Sequence, residues 1–251
     1  IYYPKDSLKA RLCVSGRTRL YDYCASRHIP HNNCGKLIVA TSQAQLAALD
    51  GIKRAAEANG VGDLEWLEQD RIRQMEPAVL GVRALLSPST GIIDSHGYML
   101  SLLGEAEDAG AAIAYSTAVT GAAIAPDGSV EIVVNGEAEP SLRARLMVNA
   151  ASLAALDIAR ATAGFPAEHV PRGWLAKGNY FTLGGRSPFN RLVYPVQEPG
   201  GLGIHATIDM GGQARFGPDV EWIDAIDFAV DPARGARFYD AIRTYWPALP
   251  D

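Results

Sequence analysis

His205, Tyr194, Lys177 and Tyr180 are the side chains best suited to chemistry in this 251-residue sequence. They fall in three short runs: Lys177-Gly178-Asn179-Tyr180, Leu192-Val193-Tyr194-Pro195 and Leu202-Gly203-Ile204-His205. A neutral imidazole accepts a proton near physiological pH. A Lys holds a carboxylate as a point charge, and Arg191 or Arg215 can stand in for Lys177. The phenols of Tyr180 and Tyr194 donate hydrogen bonds. These are the parts a small hydroxy acid needs: a cation for the carboxylate, and a base for the hydroxyl while its carbon loses hydride. Each has a plainer reading beside it. His205 is equally well a satisfied structural histidine, and the Lys and Arg residues are solvated surface charges.

The elements that must position these residues read as short strands. Lys177 to Leu183, Arg191 to Val196, Leu202 to Asp209 and Gln213 to Gly217 are four strands joined by Gly- and Pro-bearing turns, which predicts an antiparallel meander. In the third, Leu202, Ile204, Ala206 and Ile208 share one face, while Gly203, His205, Thr207 and Asp209 share the other. The first face packs on helices; the second is either solvated or lines a cavity. Tyr194 projects its phenol toward the same space as His205.

Upstream, helices are expected from Asp6-Ser7 to about Arg27, from Thr41 or Ser42 to Asn59-Gly60, from Gln69 to Met75 before Pro77, and from Asp94 to Gly110. Strands are expected over Leu37 to Ala40, Val82 to Leu86, Ile113 to Tyr115, Val119 to Ala125 and Val130 to Val134, with Asp127-Gly128 as a hairpin turn. Leu142 to Asn149 reads as a buried apolar strand running through Ala150-Ala151-Ser152 into a helix, Leu153 to Ala163. Such a junction either offers backbone N–H groups to a phosphate or is an ordinary strand-to-helix turn. Asp231-Pro232 starts a last helix that reaches Trp246. The fold class is therefore mixed α/β (α+β), with no internal repeat.

Other chemistries find little support. The net charge of −5 argues against nucleic acid, whose phosphates demand excess Lys and Arg. No apolar run is long enough to span a bilayer, and no His, Cys, Asp and Glu set has metal-ligand spacing. Neither Gly-x-Ser-x-Gly nor Gly-x-Gly-x-x-Gly occurs; Gly184-Gly185, Gly200-Gly201 and Gly211-Gly212 read as turns. Cys13, Cys24 and Cys34 read as structural thiols, the first two on one helix face. His28 and His31 read as exposed loop residues, His96 as part of a cap, and His169 as a loop residue. Both ends read as cut from something longer.

Several runs together are familiar. Ile1-Tyr2-Tyr3-Pro4 with Ser7 to Cys13, Gly35 to Thr41, Ser87 to Asp94 and Val148 to Ala151, joined by the three runs named first, resemble L-2-hydroxyglutarate dehydrogenases and oxidases of the D-amino-acid-oxidase-like superfamily. The resemblance covers nearly the whole chain in one order. It implies a partial FAD-binding Rossmann-type domain with an antiparallel-sheet substrate domain backed by helices. The implied division is 1–35 with 94–165 for the FAD-binding part and 36–93 with 166–251 for the substrate part. It implies FAD as cofactor, hydride transfer from a small 2-hydroxy acid, His205 and Tyr194 as catalytic residues, and Lys177, Tyr180, Tyr2 and Tyr3 at the substrate. Val119 matches the strand whose backbone meets the adenine, and Asn149, Ala150, Ala151 and Ser152 match the turn near the FAD phosphates. The family's Gly-rich loop and a His-x-Gly motif would precede Ile1. Two departures stand out. The family usually has Gly at position 152, where a side chain crowds the cofactor, and many members have Arg at position 177. A non-catalytic acid-binding module and an amino-acid or sarcosine-type oxidase are the alternatives. The sequence names no electron acceptor, and the expected location is the cytoplasm or, peripherally, the inner membrane.

Overall fold

The computed structural model describes residues 1–196 and 203–251, so the Gly200-Gly201 turn and the Leu202 end of the expected third strand lie outside the described residues. The chain divides into two compact units, residues 1–105 with 176–251, and residues 106–175. This differs from the expected division at 35, 93 and 165. Residues 1–35 sit with the large sheet because side chains tie them to its loops: the Tyr21 hydroxyl donates to Ser89 O at 3.0 Å, and Asn59 Nδ2 donates to Tyr3 O at 3.0 Å.

The first unit is built on a seven-stranded sheet, in the order Phe181–Thr182, Ala214–Gly217, His205–Ile208, Leu192–Pro195, Lys36–Ala40, Arg83–Ser87, Glu65–Glu68. Every neighbouring pair is antiparallel except Leu192–Pro195 with Lys36–Ala40, which is parallel. The four strands expected after Lys177 are antiparallel as expected, but Phe181–Thr182 pairs with Ala214–Gly217 rather than with Leu192–Pro195, so they do not run as a simple meander. A parallel partner needs a long crossover, which the stretch between the two strands supplies. The expected first strand is also split. Leu175–Lys177 pairs with Glu221–Ile223 in a separate ribbon, and only Phe181–Thr182 joins the large sheet. The break is fixed at Asn179, whose backbone N–H and Nδ2 both donate to Asp219 Oδ1, at 3.0 and 2.9 Å. Gly178 lies so close to Pro218 that a Cβ there would come within 2.9 Å of it.

Period-two alternation gives the sheet two packed faces. Leu37, Val39, Val193, Ala206 and Phe216 bury against Phe238 and Ile242 of the helix Gly235–Arg243, with Tyr245 and Trp246 beyond its end. Ile38, Ala40, Leu85 and Val196 bury against Leu49 and Ala56 of the helix Leu46–Ala58. Each Val, Leu, Ile or Phe side chain among them contributes about 1.5–3 kcal/mol when fully removed from water. The helices begin where the sequence caps them. Ser7 Oγ accepts from Ala10 N ahead of Leu8–Ser26, and Asp94 Oδ1 accepts from the N–H groups of His96 and Gly97 ahead of Ser95–Asp108. Of the two cysteines on the first helix, Cys24 is buried but Cys13 is exposed, because that helix buries only Ala10 and Cys24.

In the second unit Leu142–Ala144, Val130–Val134, Val119–Ile124 and Thr162–Ala163 form one sheet, its hairpin turning at Asp127-Gly128 with Gly128 at φ +82°. The expected strand over Ile113 to Tyr115 does not form. The expected buried strand Leu142 to Asn149 stops at Ala144, opposite Val130, where the partner chain turns away into the hairpin. Beyond that point Leu146 and Val148 are 77% and 79% exposed. The helix expected over Leu153 to Ala163 is confined to Ala155–Arg160, since Thr162 and Ala163 pair with Ala122 and Ala123 instead.

A buried ion pair ties the Gln69–Met75 helix to the sheet. Glu76, fully buried, accepts from Arg191 Nη1 and from the backbone N–H of Asn190, each at 3.1 Å. Removing one member leaves the other uncompensated. Glu76→Ala is expected to lower stability by about 3–5 kcal/mol, seen as a shifted midpoint in urea unfolding followed by circular dichroism.

Candidate active site

The pairing register decides which side chains meet. Leu192 opposes Lys36, Tyr194 opposes Ile38, and Val193 opposes Ala206. Lys36, Tyr194 and His205 therefore share one sheet face, with Leu37, Val193 and Ala206 on the other. The Tyr194 and His205 rings stack with centroids 3.7 Å apart and planes 7° from parallel. Lys36 Nζ lies 4.8 Å from the Tyr194 ring centroid and 5.1 Å from that of Tyr2, a cation between two aromatic rings.

The electrostatics follow from burial. Lys36 is only 9% exposed. Loss of water lowers its pKa to about 8. His205 is half-buried, and burial, followed by the nearby Lys36 charge, lowers its pKa to about 4. Its imidazole is neutral at physiological pH. Among the described residues neither ring nitrogen of His205 has a hydrogen-bond partner, and neither does the Tyr194 hydroxyl. Burial and then Tyr180 raise the Tyr194 phenol above its ordinary pKa, so it stays a donor.

The structure brings some of the expected residues together and leaves others apart. Tyr180, 46% exposed, packs its ring against Gly217, where a Cβ would come within 2.7 Å of Tyr180 Cδ1. Gly217 is the residue paired with His205. Tyr2 reaches the cluster through Lys36, whereas Tyr3 lies under Lys9 Nζ, 4.4 Å from its ring centroid. Lys177, expected on this sheet face, stands in the separate ribbon and donates to Asp227 Oδ2 at 2.7 Å. Its stand-ins are engaged too: Arg191 with Glu76, and Arg215 with Asp209 at 3.9 Å. Lys36 is the residue that sequence reasoning missed. Its signal was there: a Lys opening the run Lys36-Leu37-Ile38-Val39-Ala40, in which every residue is buried.

In the second unit, Val119 opens its strand opposite Val134. Asn149 shapes the following turn, with Nδ2 donating to Ala155 O at 2.7 Å and Oδ1 accepting from Ala151 N at 3.3 Å. Ala150 is exposed, and Ser152 holds φ +52°, a left-handed backbone that suits Gly. The two sets of residues differ in character. Small residues with exposed backbone lie at a tight turn, and aromatic rings with a buried cation lie on a sheet face.

Each unit thus presents one candidate surface: a sheet face with a neutral histidine and an ammonium in the first, and an exposed small-residue turn in the second. The chain belongs to the FAD dependent oxidoreductase (DAO) family, whose pattern it matches over residues 1–251. It is 40% identical to the mitochondrial L-2-hydroxyglutarate dehydrogenase of Arabidopsis thaliana, with all of this chain and 60% of that protein covered. It is 32% identical to the human mitochondrial L-2-hydroxyglutarate dehydrogenase, with 87% of this chain and 49% of that protein covered. The chain thus spans about half to three fifths of these relatives. Among solved structures, FAD-bound L-alpha-glycerophosphate oxidase from Mycoplasma pneumoniae superposes with a TM-score of 0.82 at 20% identity, over 99% of this chain and 66% of that one, which shows the shared fold.

The left-handed Ser152 is testable. Ser152→Gly is expected to stabilise the protein by about 0.5–1 kcal/mol, relief of the side-chain strain outweighing the added freedom of the unfolded chain. An unchanged or lower midpoint in urea unfolding would count against strain at this turn.

Proposed function

We propose that this protein oxidises a small 2-hydroxy acid, L-2-hydroxyglutarate or a close analogue, with FAD as the acceptor. The observation that carries the reading is His205, stacked on Tyr194 with both ring nitrogens unbonded among the described residues, beside the buried Lys36. The similarity to L-2-hydroxyglutarate dehydrogenases supports the substrate class.

In this reading His205 takes the hydroxyl proton of the substrate. Its neutral form is the one that can do so, and its own charge is disfavoured by burial. Tyr194 and Tyr180 donate hydrogen bonds that orient the acid, and Tyr2 closes one side of the aromatic cluster. Tyr3, under Lys9, would take part only if a bound acid extends to it. Lys177 serves only where a substrate carboxylate displaces Asp227. Val119, Asn149, Ala150, Ala151 and Ser152 would hold the adenine and phosphate half of FAD. When bound, FAD supplies the two-electron acceptor for the hydride. The division into FAD-binding and substrate parts stays in this proposal.

Among the described residues no helix is long and apolar enough to cross a membrane. A cytoplasmic location, or one on the inner-membrane surface, remains part of the proposal, and the Arabidopsis and human relatives are named as mitochondrial.

The test is anaerobic stopped-flow of the FAD-loaded protein. L-2-hydroxyglutarate is expected to bleach the flavin absorbance, and His205→Ala to slow that bleaching by about 10²–10⁴-fold. Bleaching by amino acids alone would point to an amino-acid oxidase, and a colourless protein that takes up no FAD would point to a binding module. The pH profile adds a second check. A base acts when neutral and is lost as pH falls through its pKa, so kcat/KM is expected to be flat from neutral pH downward and to fall only near pH 4. An acid limb that His205→Ala leaves unchanged would remove His205 from the role.

A further inference from the structure

Lys36 is a buried ammonium that the fold itself does not use. Nine-tenths of its surface is removed from water, yet among the described residues it has no carboxylate partner and no hydrogen bond. Other buried or half-buried charges in this unit are paired: Glu76 with Arg191, Asp219 with Arg234 and Lys177 with Asp227. Two aromatic faces compensate Lys36 only in part, since a cation–π contact gives about 0.5–2 kcal/mol, less than the several kcal/mol that desolvating an ion costs. A group this costly to the folded state is explained by an anion that arrives later.

The surroundings have the chemistry of a receptor. Lys36 and Tyr2 also wall a cavity of about 190 Å³ together with Arg17, Ser87, Ser89 and Thr90. The Ser87 and Thr90 hydroxyls lie 2.9 Å apart, and Arg17 Nη1 donates to the Ser89 hydroxyl. Arg17 is itself offset by Asp63 at 3.6 Å, which leaves the Lys36 ammonium as the unbalanced charge. On its other side Lys36 faces Tyr194. The 3.7 Å and 4.8 Å separations from that ring centroid put the imidazole of His205 and the ammonium within about 8.5 Å of each other. The Tyr194 ring, on the strand between theirs, separates the two, so a short hydroxy acid that meets both passes over the edge of that ring, with one hydrogen bond at each end.

We propose that Lys36 is the carboxylate receptor of this site, binding a carboxylate of the substrate while His205 addresses its hydroxyl. The inference rests on the 2-hydroxy acid reading for the identity of the substrate, but not for the existence of the receptor. It gives Lys36 the part that the sequence assigned to Lys177, Arg191 or Arg215, all of which the fold occupies.

The test uses glutarate, a dicarboxylate with no hydroxyl to oxidise, titrated calorimetrically into the full-length FAD-loaded protein. Lys36→Met keeps the length and apolar contacts of the side chain and removes its charge. It is expected to weaken glutarate about 10- to 100-fold, the worth of a charge-assisted contact. Lys36→Arg should recover most of the affinity. In steady-state oxidation, Lys36→Met should raise KM by a similar factor. Flavin content and thermal unfolding report whether each variant folds, and Lys36→Gln replaces Lys36→Met if that variant does not. Glutarate affinity unchanged on neutralising Lys36, or no glutarate binding by the unaltered protein, overturns the receptor. Lys36-dependent glutarate binding without flavin reduction by any 2-hydroxy acid would keep the receptor and remove the oxidation reading. Flavin reduction with a KM indifferent to Lys36 would do the reverse.

Discussion

The parallel pairing of Leu192–Pro195 with Lys36–Ala40 joins segments far apart in the sequence, and both the core and the candidate site depend on it. Its ends are held by Leu192 N–H donating to Gly35 O at 3.2 Å and Val196 N–H donating to Val39 O at 2.8 Å. Side chains alternate across a strand, so a slip of one residue would exchange the two faces. Leu37 and Val39 would leave their core, and Lys36 would enter it without a partner. The hydrophobic requirement that sets the register thus also sets the chemistry. The apolar residues of these strands must face Phe238, Ile242 and Trp246, and Lys36, Tyr194 and His205 are thereby delivered together on the opposite face.

The charges of this unit separate by what satisfies them. Asp219 is buried, and burial alone pushes its carboxyl upward. The hydrogen bonds from Asn179 and Arg234 outweigh that and hold it below the ordinary value. Glu76 stands on the other side of the balance: desolvation exceeds the help of Asn190 and Arg191, and its carboxyl is raised. Both are parts of the frame, one bracing the break at Asn179 and the other holding the end of a helix. Lys36 resembles them in burial and differs in having no carboxylate partner among the described residues, which marks it as a candidate site rather than a brace.

Local signals in the sequence were legible where local chemistry decides the outcome. Ser7, Asp94 and Asp231 cap the helices they precede, and Asp127-Gly128 turns a hairpin. The alternation through Ile204, His205 and Ala206 assigned faces correctly, because period two needs no knowledge of partners. What depends on distant partners was not legible. The parallel neighbour of Tyr194 lies more than a hundred residues away, and nothing near Leu146 announces that the strand opposite ends at Val130. Lys177 and Lys36 show the same limit at the site. Whether a lysine is occupied turns on Asp227 or Asp63 and Arg17 in space, and one-dimensional spacing does not carry that information.

The coupling between Lys36 and His205 has a mechanistic consequence. Two unit charges about 8.5 Å apart repel by about 2 kcal/mol at an effective dielectric near 20, and a shorter separation increases the figure. That repulsion is one reason, after burial, that the imidazole is such a weak base in the absence of ligand. A carboxylate seated on Lys36 would offset the repelling charge, so the proton affinity of His205 would rise when an acid binds. In the proposed reading, the ammonium that would recruit the substrate is, after burial, the second influence that keeps the imidazole a weak base. Selectivity for acids over neutral alcohols would then arise twice in one pair of residues, first in binding and again in the strength of the base.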